Sequence, residues 1–223
     1  MANTLFIRLE GPFQAWGERA RWSVRDTATE PTKSGIVGLL GCALGVHLDE
    51  DLVWISRNIK IAVRCDRQGS LLKDFHTVIG GVLNSEEKLK KATVISWRSY
   101  LCDASFLVAI RAEEDTISRL KIALLQPVWP YFLGRKACVP SRPVYEGDGD
   151  YTDLFTAIQE WPIYSTAKIA EDQPLRVVIE VGSGKGIQRK DEIASNTRRT
   201  FLPRYTHEGQ VMPIKVTKEG ACI

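Results

Sequence analysis

Residues 93–111 read TVISWRSYLCDASFLVAIR, and this stretch decides the fold. It begins with β-branched and aromatic residues and ends in the apolar run Ser105–Arg111, which predicts a strand. Asp115–Leu125 follows with apolar residues at helical spacing and predicts an amphipathic helix. The residues before this stretch, from Gly80-Gly81 through the Glu and Lys cluster at 86–91, indicate an arm that leaves the body of the protein.

The chain before the arm supplies the other half of the pattern. Thr4–Leu9 predicts a strand that ends at Gly11-Pro12, and Thr32 is the expected N-cap of a helix that runs to Leu44. Asn58–Cys65 alternates apolar with basic residues and predicts a second strand. Shorter elements are expected nearby: a helix at Asp51–Arg57 and a strand at Leu71–Val78.

The order β-α-β-(arm)-β-α predicts an α+β fold, a ferredoxin-like (RRM-like) βαββαβ palm with an inserted thumb-like arm and an irregular β-rich C-terminal part. We assign residues 1–79 and 102–223 to the palm with its C-terminal extension, and residues 80–101 to the arm. Because the RNP1 pattern of an ordinary RRM is not found, bases are not expected to stack on the palm sheet in the usual RRM manner.

After Pro127 the pattern weakens. Glu146–Asp153 is acidic and predicts an exposed loop, whereas Leu175–Val181 predicts a strand. Gly182–Gly186 predicts a flexible turn, and a last strand is expected at Val211–Val216.

Composition limits the classes of function. The 223 residues are 44% apolar, enough for a real core, and the net charge of +3 permits nucleic-acid binding without requiring it. The five cysteines lack a C-x-x-C pair, so neither a zinc ribbon nor disulfides are expected. No signal peptide is expected, and the longest apolar run is about half of what a bilayer needs. We therefore expect a cytoplasmic protein without membrane contact.

Three features could suggest a phosphate loop or a metal site, and each is weak. Gly182–Gly186 lacks both the leading glycine and the hydroxyl residue of a phosphate-binding loop. The histidines at 47, 76 and 207 lack the spacing of zinc ligands, and Asp49–Asp51 is more typical of a solvated loop than of a metal site. No metal or other cofactor is predicted.

The helix from Thr32 to Leu44 has two candidate uses. Its glycines at 35, 38, 41 and 45 lie along one face, which would allow tight packing of the helix on the sheet. Alternatively, the N–H groups at Lys33, Ser34 and Gly35, together with the Lys33 charge, would hold a phosphate.

Aromatic residues beside basic ones are the main signal for RNA. Each aromatic residue alone could belong to the core, but guanidinium and aromatic planes together stack unpaired bases at about 1–3 kcal/mol per base. The aromatic residues are Trp16, Trp22, Trp97 and Tyr100, and the basic ones are Arg19, Arg21, Arg25 and Arg98.

Segments 9–17, 31–41 and 97–106, in this order, resemble the CasD family of subunits of type I-E CRISPR Cascade complexes. The resemblance implies a RAMP-superfamily protein, built on ferredoxin-like domains, that holds the 5′ handle of the CRISPR RNA. It implies further that the chain caps the filament of CasC backbone subunits and adjoins the large CasA subunit, alongside the other Cascade subunits. In this family the arm folds over the RNA, and a different subunit, CasE, cuts the precursor.

The resemblance and the residue chemistry together predict the RNA-binding residues. Handle phosphates would be held by Lys33, Ser34, Arg98, Arg135, Lys136 and Arg204, and bases by Gln14, Trp16, His76 and Tyr100.

Two alternatives remain open. The first is a metal-independent endoribonuclease that processes CRISPR repeat RNA with His76 as the base, helped by Lys73 or Tyr100. Type I-C relatives cut with a Tyr and an adjacent Lys-His pair, and this chain has no adjacent Lys-His. The second is a scaffold whose basic residues meet only acidic protein partners.

Overall fold

The computed structural model describes residues 2–18, 23–83, 86–90, 92–163, 173–212 and 214. It contains thirteen strands and four helices within those ranges. In chain order they are β1 (Thr4–Glu10), β2 (Phe13–Gln14), β3 (Val24–Arg25), α1 (Lys33–Leu44), α2 (Asp49–Asn58), β4 (Lys60–Arg67), β5 (Ser70–Val78), β6 (Val82–Leu83), β7 (Leu89–Lys90), β8 (Val94–Cys102), β9 (Ser105–Arg111), α3 (Glu114–Leu125), β10 (Tyr145–Gly149), α4 (Leu154–Glu160), β11 (Leu175–Val181), β12 (Ile187–Ser195) and β13 (Thr200–Val211).

Seven strands form one antiparallel sheet in the order β10-β1-β9-β4-β11-β13-β12. The first four, with α1 between β1 and β4 and α3 between β9 and β10, have the order of a ferredoxin-like βαββαβ unit. The predicted fold class is confirmed. β11, β13 and β12 extend the sheet beyond β4 and form the β-rich C-terminal part.

The core lies on both faces of this sheet. On one face α1, α2 and α3 bury an apolar cluster that includes Leu5, Ile36, Val108 and Leu120. On the other face the short helix α4 covers a smaller cluster around Phe6. Because both faces are covered, the central strands are apolar at almost every position rather than at alternate ones. No helix among the described residues is long and apolar enough to span a membrane.

The first helix has the ends that the sequence predicts. The Thr32 side chain accepts a hydrogen bond from the Gly35 amide, as an N-cap residue should. Gly45 ends the helix with a φ of +71°, a left-handed conformation that favours glycine. α2 begins two residues before its predicted start, because Asp49 and Glu50 form its first turn.

The C-terminal half differs from prediction in two places. The exposed loop expected at Glu146–Asp153 is wrong: Tyr145–Gly149 is an edge strand that pairs with β1. Its Asp148 is held by Lys121 of α3 at 2.8 Å, so the acidic residue that suggested a loop has a partner on a helix. The last strand also differs, since β13 ends at Val211, where the predicted strand begins. Residues 213, 215 and 216 of that predicted strand lie outside the described residues.

The arm is a continuation of the palm's own strands. β5 and β8 pair from Ser70–Cys102 to Val78–Val94, and β2 and β3 flank β8 in the same second sheet. The chain bends out of the palm at Gly69 and Asp103, which have φ angles of +71° and +56°. A Cβ at Gly69 would collide with the Cys102 carbonyl, so this bend requires glycine. The ladder thus begins ten residues before the start predicted for the arm.

A buried ion cluster joins the sheet to α4. Asp66 accepts hydrogen bonds from Arg8 and, at 2.6 Å, from the Nε of Arg64. The side chains of all three residues are at most 1% exposed. Arg64 also donates to the carbonyl oxygens of Ile158 at 2.7 Å and Trp161 at 2.6 Å, and so caps the C-terminal end of α4.

Candidate nucleic-acid interface

A groove of about 1110 Å³ crosses the helical side of the palm. Four segments that are distant in sequence build it. Its floor is one face of α1, its first wall is formed by the loops around Arg25 and Arg135, and its second wall is the turn between β12 and β13. The residues that line it include Arg25, Ser34, Gly35, Gly38, Cys42, His47, Trp129, Arg135, Asn196, Arg199 and Phe201.

The floor is open because α1 carries glycine there. A Cβ added at Gly35 would lie 2.8 Å from the Trp16 ring, so this glycine serves packing, although its partner is a loop residue and not the sheet that the sequence predicted. A Cβ at Gly38 would meet nothing within 4 Å, so this glycine faces the open groove. The glycine face of α1 is therefore divided between a packing contact and a binding surface.

Arg135 holds the first wall together and joins it to the arm. Its guanidinium donates to the carbonyl oxygens of Ser99 at 3.0 Å, Arg25 at 3.0 Å and Asp26 at 3.1 Å. The same group lies 4.6 Å from the ring centroid of Tyr100, at the base of the arm. A planar guanidinium is needed for this combination of fork-shaped donation and stacking.

Asp49 holds the second wall. Its carboxylate accepts from the Ser195 hydroxyl at 2.6 Å and from the amides of Asn196 at 2.8 Å and Thr197 at 2.9 Å. These hydrogen bonds, first that from Ser195, lower the pKa of Asp49, so it is ionised at neutral pH. The expectation that Asp49 belongs to a solvated loop is wrong, since it anchors the turn that carries Arg199.

The groove has a cationic character. Among the described residues that line it, the charged side chains are Arg25, Arg135 and Arg199 on the positive side and Asp26 on the negative side. Cys42 contributes a neutral thiol, because burial raises its pKa. Guanidinium groups over an open, partly apolar floor suit a phosphate backbone with unpaired bases. Within the part of the chain that the structure describes, no three His, Cys, Asp or Glu side chains could together hold a metal ion.

Two residues expected to place bases lie in the core instead. Gln14 is fully buried and donates to the carbonyl oxygens of Leu9 at 3.1 Å and Ala104 at 2.8 Å. The Trp16 indole is 1% exposed and donates to the Gln14 side chain at 3.1 Å. Their predicted contacts with bases are wrong, since the side chains are already occupied and inaccessible.

The predicted phosphate site at the start of α1 is also wrong. The Asp191 carboxylate already occupies it, accepting from the Lys33 amide at 2.8 Å. Arg204 binds both oxygens of Asp191 at 2.6 and 2.8 Å, and the Lys33 ammonium pairs with Glu180 at 2.9 Å. Lys33 and Arg204 are buried in this network and tie α1 to the C-terminal strands, so neither can hold a handle phosphate.

Besides Arg135, five predicted residues lie near the groove or along the arm. Ser34 is on the groove floor, and Lys136 is exposed next to Arg135. His76, Arg98 and Tyr100 lie on one face of the arm, because their ladder positions have the same parity. Three residues proposed as stacking partners, Arg19, Arg21 and Trp22, lie outside the described residues.

The arm separates the groups that a His76-based nuclease would need. Lys73 lies on the opposite face, with its ammonium 4.9 Å from the centroid of the Trp97 ring. Tyr100 pairs with Leu72, four residues from His76 along β5, which corresponds to about 13 Å. Asp74 is the acidic neighbour of His76, at 3.9 Å.

Sequence reasoning missed several groove residues. Trp129 and His47 were not connected, because 81 positions separate them and only the packing of the 127–130 turn on α1 brings them together. Arg199 and Asn196 belong to the basic stretch 185–204, whose charge was noted without its hairpin structure. Both residues would have been placed at a turn if the pairing of β12 with β13 had been recognised from the sequence.

The fold agrees with the comparisons to known proteins. A family model described as CRISPR-associated protein (Cas_Cas5) matches residues 4–212. The chain belongs to the Cas5 family. The resemblance of segments 9–17, 31–41 and 97–106 to a CRISPR subunit family is thereby confirmed.

Relatives of this Cas5 protein match over most of its length. The "CRISPR system Cascade subunit CasD" of Escherichia coli (strain K12) is 38% identical over 201 residues, covering 78% of this chain and 90% of the relative. A solved structure titled "Crystal structure of Cas protein" is 35% identical, with a TM-score of 0.72 over 94% of this chain and 95% of that one. A chain of a "CRISPR RNA-guided surveillance complex" is 26% identical, with a TM-score of 0.78 over 97% and 95%.

Proposed function

We propose that this Cas5-family chain is a subunit of a Cascade-type surveillance complex and holds the 5′ handle of the CRISPR RNA in the groove over α1. The observation that carries the proposal is the groove itself, in which three arginines surround a floor left open at Gly38. The names of the relatives support the assembly, since one is a Cascade subunit and another comes from an RNA-guided surveillance complex.

The position of Arg135 between the groove and the arm indicates the path of the RNA. Phosphates in the groove meet Arg25, Arg135 and Arg199, and the strand continues along the arm face that carries His76, Arg98 and Tyr100. Arg135 contacts both surfaces, so it marks where the RNA passes from palm to arm. Single-stranded RNA suits this path because its unpaired bases expose their faces and edges.

Other parts of the proposal concern assembly. On the family's pattern, the chain caps a filament of CasC backbone subunits and adjoins the large CasA subunit, in the cytoplasm. We assign a structural role without catalysis. The separation of His76 from Lys73 and Tyr100 supports this role, since neither of these two groups is near enough to His76 to act with it as an acid–base pair.

The first test is RNA retention without cleavage. We expect end-labelled CRISPR repeat RNA, incubated with the purified chain in EDTA, to be retarded on a native gel and intact on a denaturing gel. His76→Ala should leave the RNA equally intact. Cutting at one position that disappears in His76→Ala would instead make the chain the processing enzyme. RNA that is neither retarded nor cut at low salt would leave only the protein-scaffold role.

Arg135→Lys tests the contacts by which Arg135 connects the groove to the arm. The substitution keeps the charge but loses the stacking and most of the three carbonyl hydrogen bonds, each worth about 0.5–1.5 kcal/mol. We expect handle affinity to fall about 10-fold and amide hydrogen exchange at residues 97–102 to accelerate. Lys136→Met is the matched control, since it removes a neighbouring exposed charge. It should lower the salt dependence of binding by about one unit and leave exchange unchanged. Equal exchange in the two variants would contradict the structural role of Arg135.

A further inference from the structure

The C-terminal end of the groove floor carries an aromatic corner that the proposed function does not use. His47 and Trp129 both line the groove, with ring centroids 5.9 Å apart and planes inclined at 52°. The Trp129 side chain is 40% exposed, and His47 is exposed as well. We propose that Trp129 and His47 form a subsite for one unpaired base of the bound RNA. This inference rests on the proposed function and adds the place where a base is read.

The indole is held in place by its own backbone. The Trp129 amide donates to the Cys42 carbonyl at 3.1 Å, and the Val128 amide donates to the Ala43 carbonyl at 2.9 Å. Val128 packs against Gly45, where any Cβ would lie 2.7 Å from a Val128 methyl group. The turn is therefore clamped to the end of α1. A stacking surface that is fixed before binding loses little conformational entropy when a base arrives.

The wall formed by Arg25 and Arg135 and the aromatic corner lie at different ends of the groove. Arg135 contacts the Arg25 and Asp26 carbonyls beside Trp16, and Trp16 packs on Gly35 at the start of α1. Trp129 is bound to Cys42, eight residues further along the helix than Ser34. At 1.5 Å per residue the two ends are about 12 Å apart. A strand whose phosphates meet Arg25 and Arg135 at one end can thus place a base on the indole at the other.

The inclination of the two rings fits one base rather than a continuous stack. At 52° the rings form an open corner, so a base lying flat on the indole turns its edge towards the imidazole. Histidine offers one donor and one acceptor in its neutral form, which allows a hydrogen bond to that edge. Arg199 and Asn196 on the opposite wall supply further polar groups. The subsite therefore contributes base selection, whereas the arginine end binds any sequence.

The test uses a set of handle RNAs in which one base at a time is removed to leave an abasic sugar. Affinities are measured by fluorescence anisotropy with the wild-type chain, Trp129→Ala, Trp129→Phe and His47→Ala. We expect one abasic position to weaken wild-type binding between about 5- and 150-fold. That loss should disappear in Trp129→Ala, shrink in His47→Ala and persist in Trp129→Phe, which keeps an aromatic face. Trp54→Ala is the control, since this exposed indole on α2 lies outside the groove lining.

Two outcomes separate this subsite from the proposed function. If Gly38→Phe abolishes binding of intact handle RNA while Trp129→Ala and His47→Ala keep the wild-type abasic profile, the groove binds RNA and the subsite is wrong. If Gly38→Phe binds intact RNA as well as the wild type does, the groove is not the RNA site and both proposals fail. Should Trp129→Ala unfold, His47→Ala and Trp129→Phe decide the question, because neither alters the backbone clamp.

Discussion

Gly38→Phe is expected to abolish handle RNA binding without lowering the stability of the protein. The new side chain would extend from the floor into the groove, because a Cβ at this position meets nothing within 4 Å. Glycine inside a helix costs about 1 kcal/mol relative to Ala, so its replacement removes an intrinsic penalty. We expect at least about a 100-fold loss of affinity, since a ring in the groove excludes both phosphates and bases. Anisotropy with labelled handle RNA and thermal unfolding of the same samples measure the two effects.

Gly38→Ala is the matched control. A single methyl group fits the open space, so we expect wild-type RNA affinity and a gain of about 1 kcal/mol in the free energy of unfolding. Gly35→Ala should instead lower the free energy of unfolding, because its Cβ would lie 2.8 Å from the Trp16 ring. If both Gly38 variants bound RNA equally well, the groove over α1 could not be the binding site.

Asp66→Ala is expected to cause the largest loss of stability. Asp66 is fully buried and binds Arg8 and Arg64, whose side chains are 1% and 0% exposed. Removing the carboxylate leaves the buried Arg64 without a counter-ion and leaves Arg8 with Glu146 alone, at 3.3 Å. Breaking a buried pair in this way costs about 3–5 kcal/mol. The change also frees Arg64, so the C-terminal end of α4 should loosen. Urea unfolding gives the free energy, and hydrogen exchange at residues 154–161 reports the helix.

Asp74→Asn provides the comparison for this effect. It also removes a carboxylate, here from strand β5 of the arm, but the Asp74 side chain is 44% exposed. We expect a change within about 0.5 kcal/mol, as for most surface substitutions. A loss at Asp66 no greater than that at Asp74 would show that the buried arginines find other partners.

The elements that the sequence predicts well are those whose signal is local. Ser105–Arg111 and Leu175–Val181 are strands with the predicted bounds, and Thr32 caps α1, because apolar runs and capping residues act within a few positions. The strand Tyr145–Gly149 was missed, since its acidic residues resemble a loop. Its pairing with β1 and the Lys121 partner of Asp148 lie far away in sequence.

The predicted binding residues also show that a local sequence pattern cannot distinguish an exposed site from a buried one. Adjacent aromatic and basic residues are equally compatible with a stacking site and with a satisfied core, so Trp16 and Lys33 looked like RNA contacts. Only the fold reveals that the Trp16 indole N–H already donates to Gln14 and that the Lys33 amide already donates to Asp191. Arg135 was found because it lies in a short basic aromatic loop. Trp129 and His47 were missed because no local pattern joins them.

The way the groove is assembled has a consequence for the order of events during synthesis. Its second wall comes from residues 193–201, whereas its floor and first wall are complete by residue 135. The ribosome releases the N-terminal part first, and domains fold as they emerge. A nascent chain can therefore form β1, β4, β9 and the arm while the groove still lacks one side. We therefore expect firm capture of RNA only after Phe201 has left the exit tunnel, so that a half-made chain would not sequester CRISPR RNA.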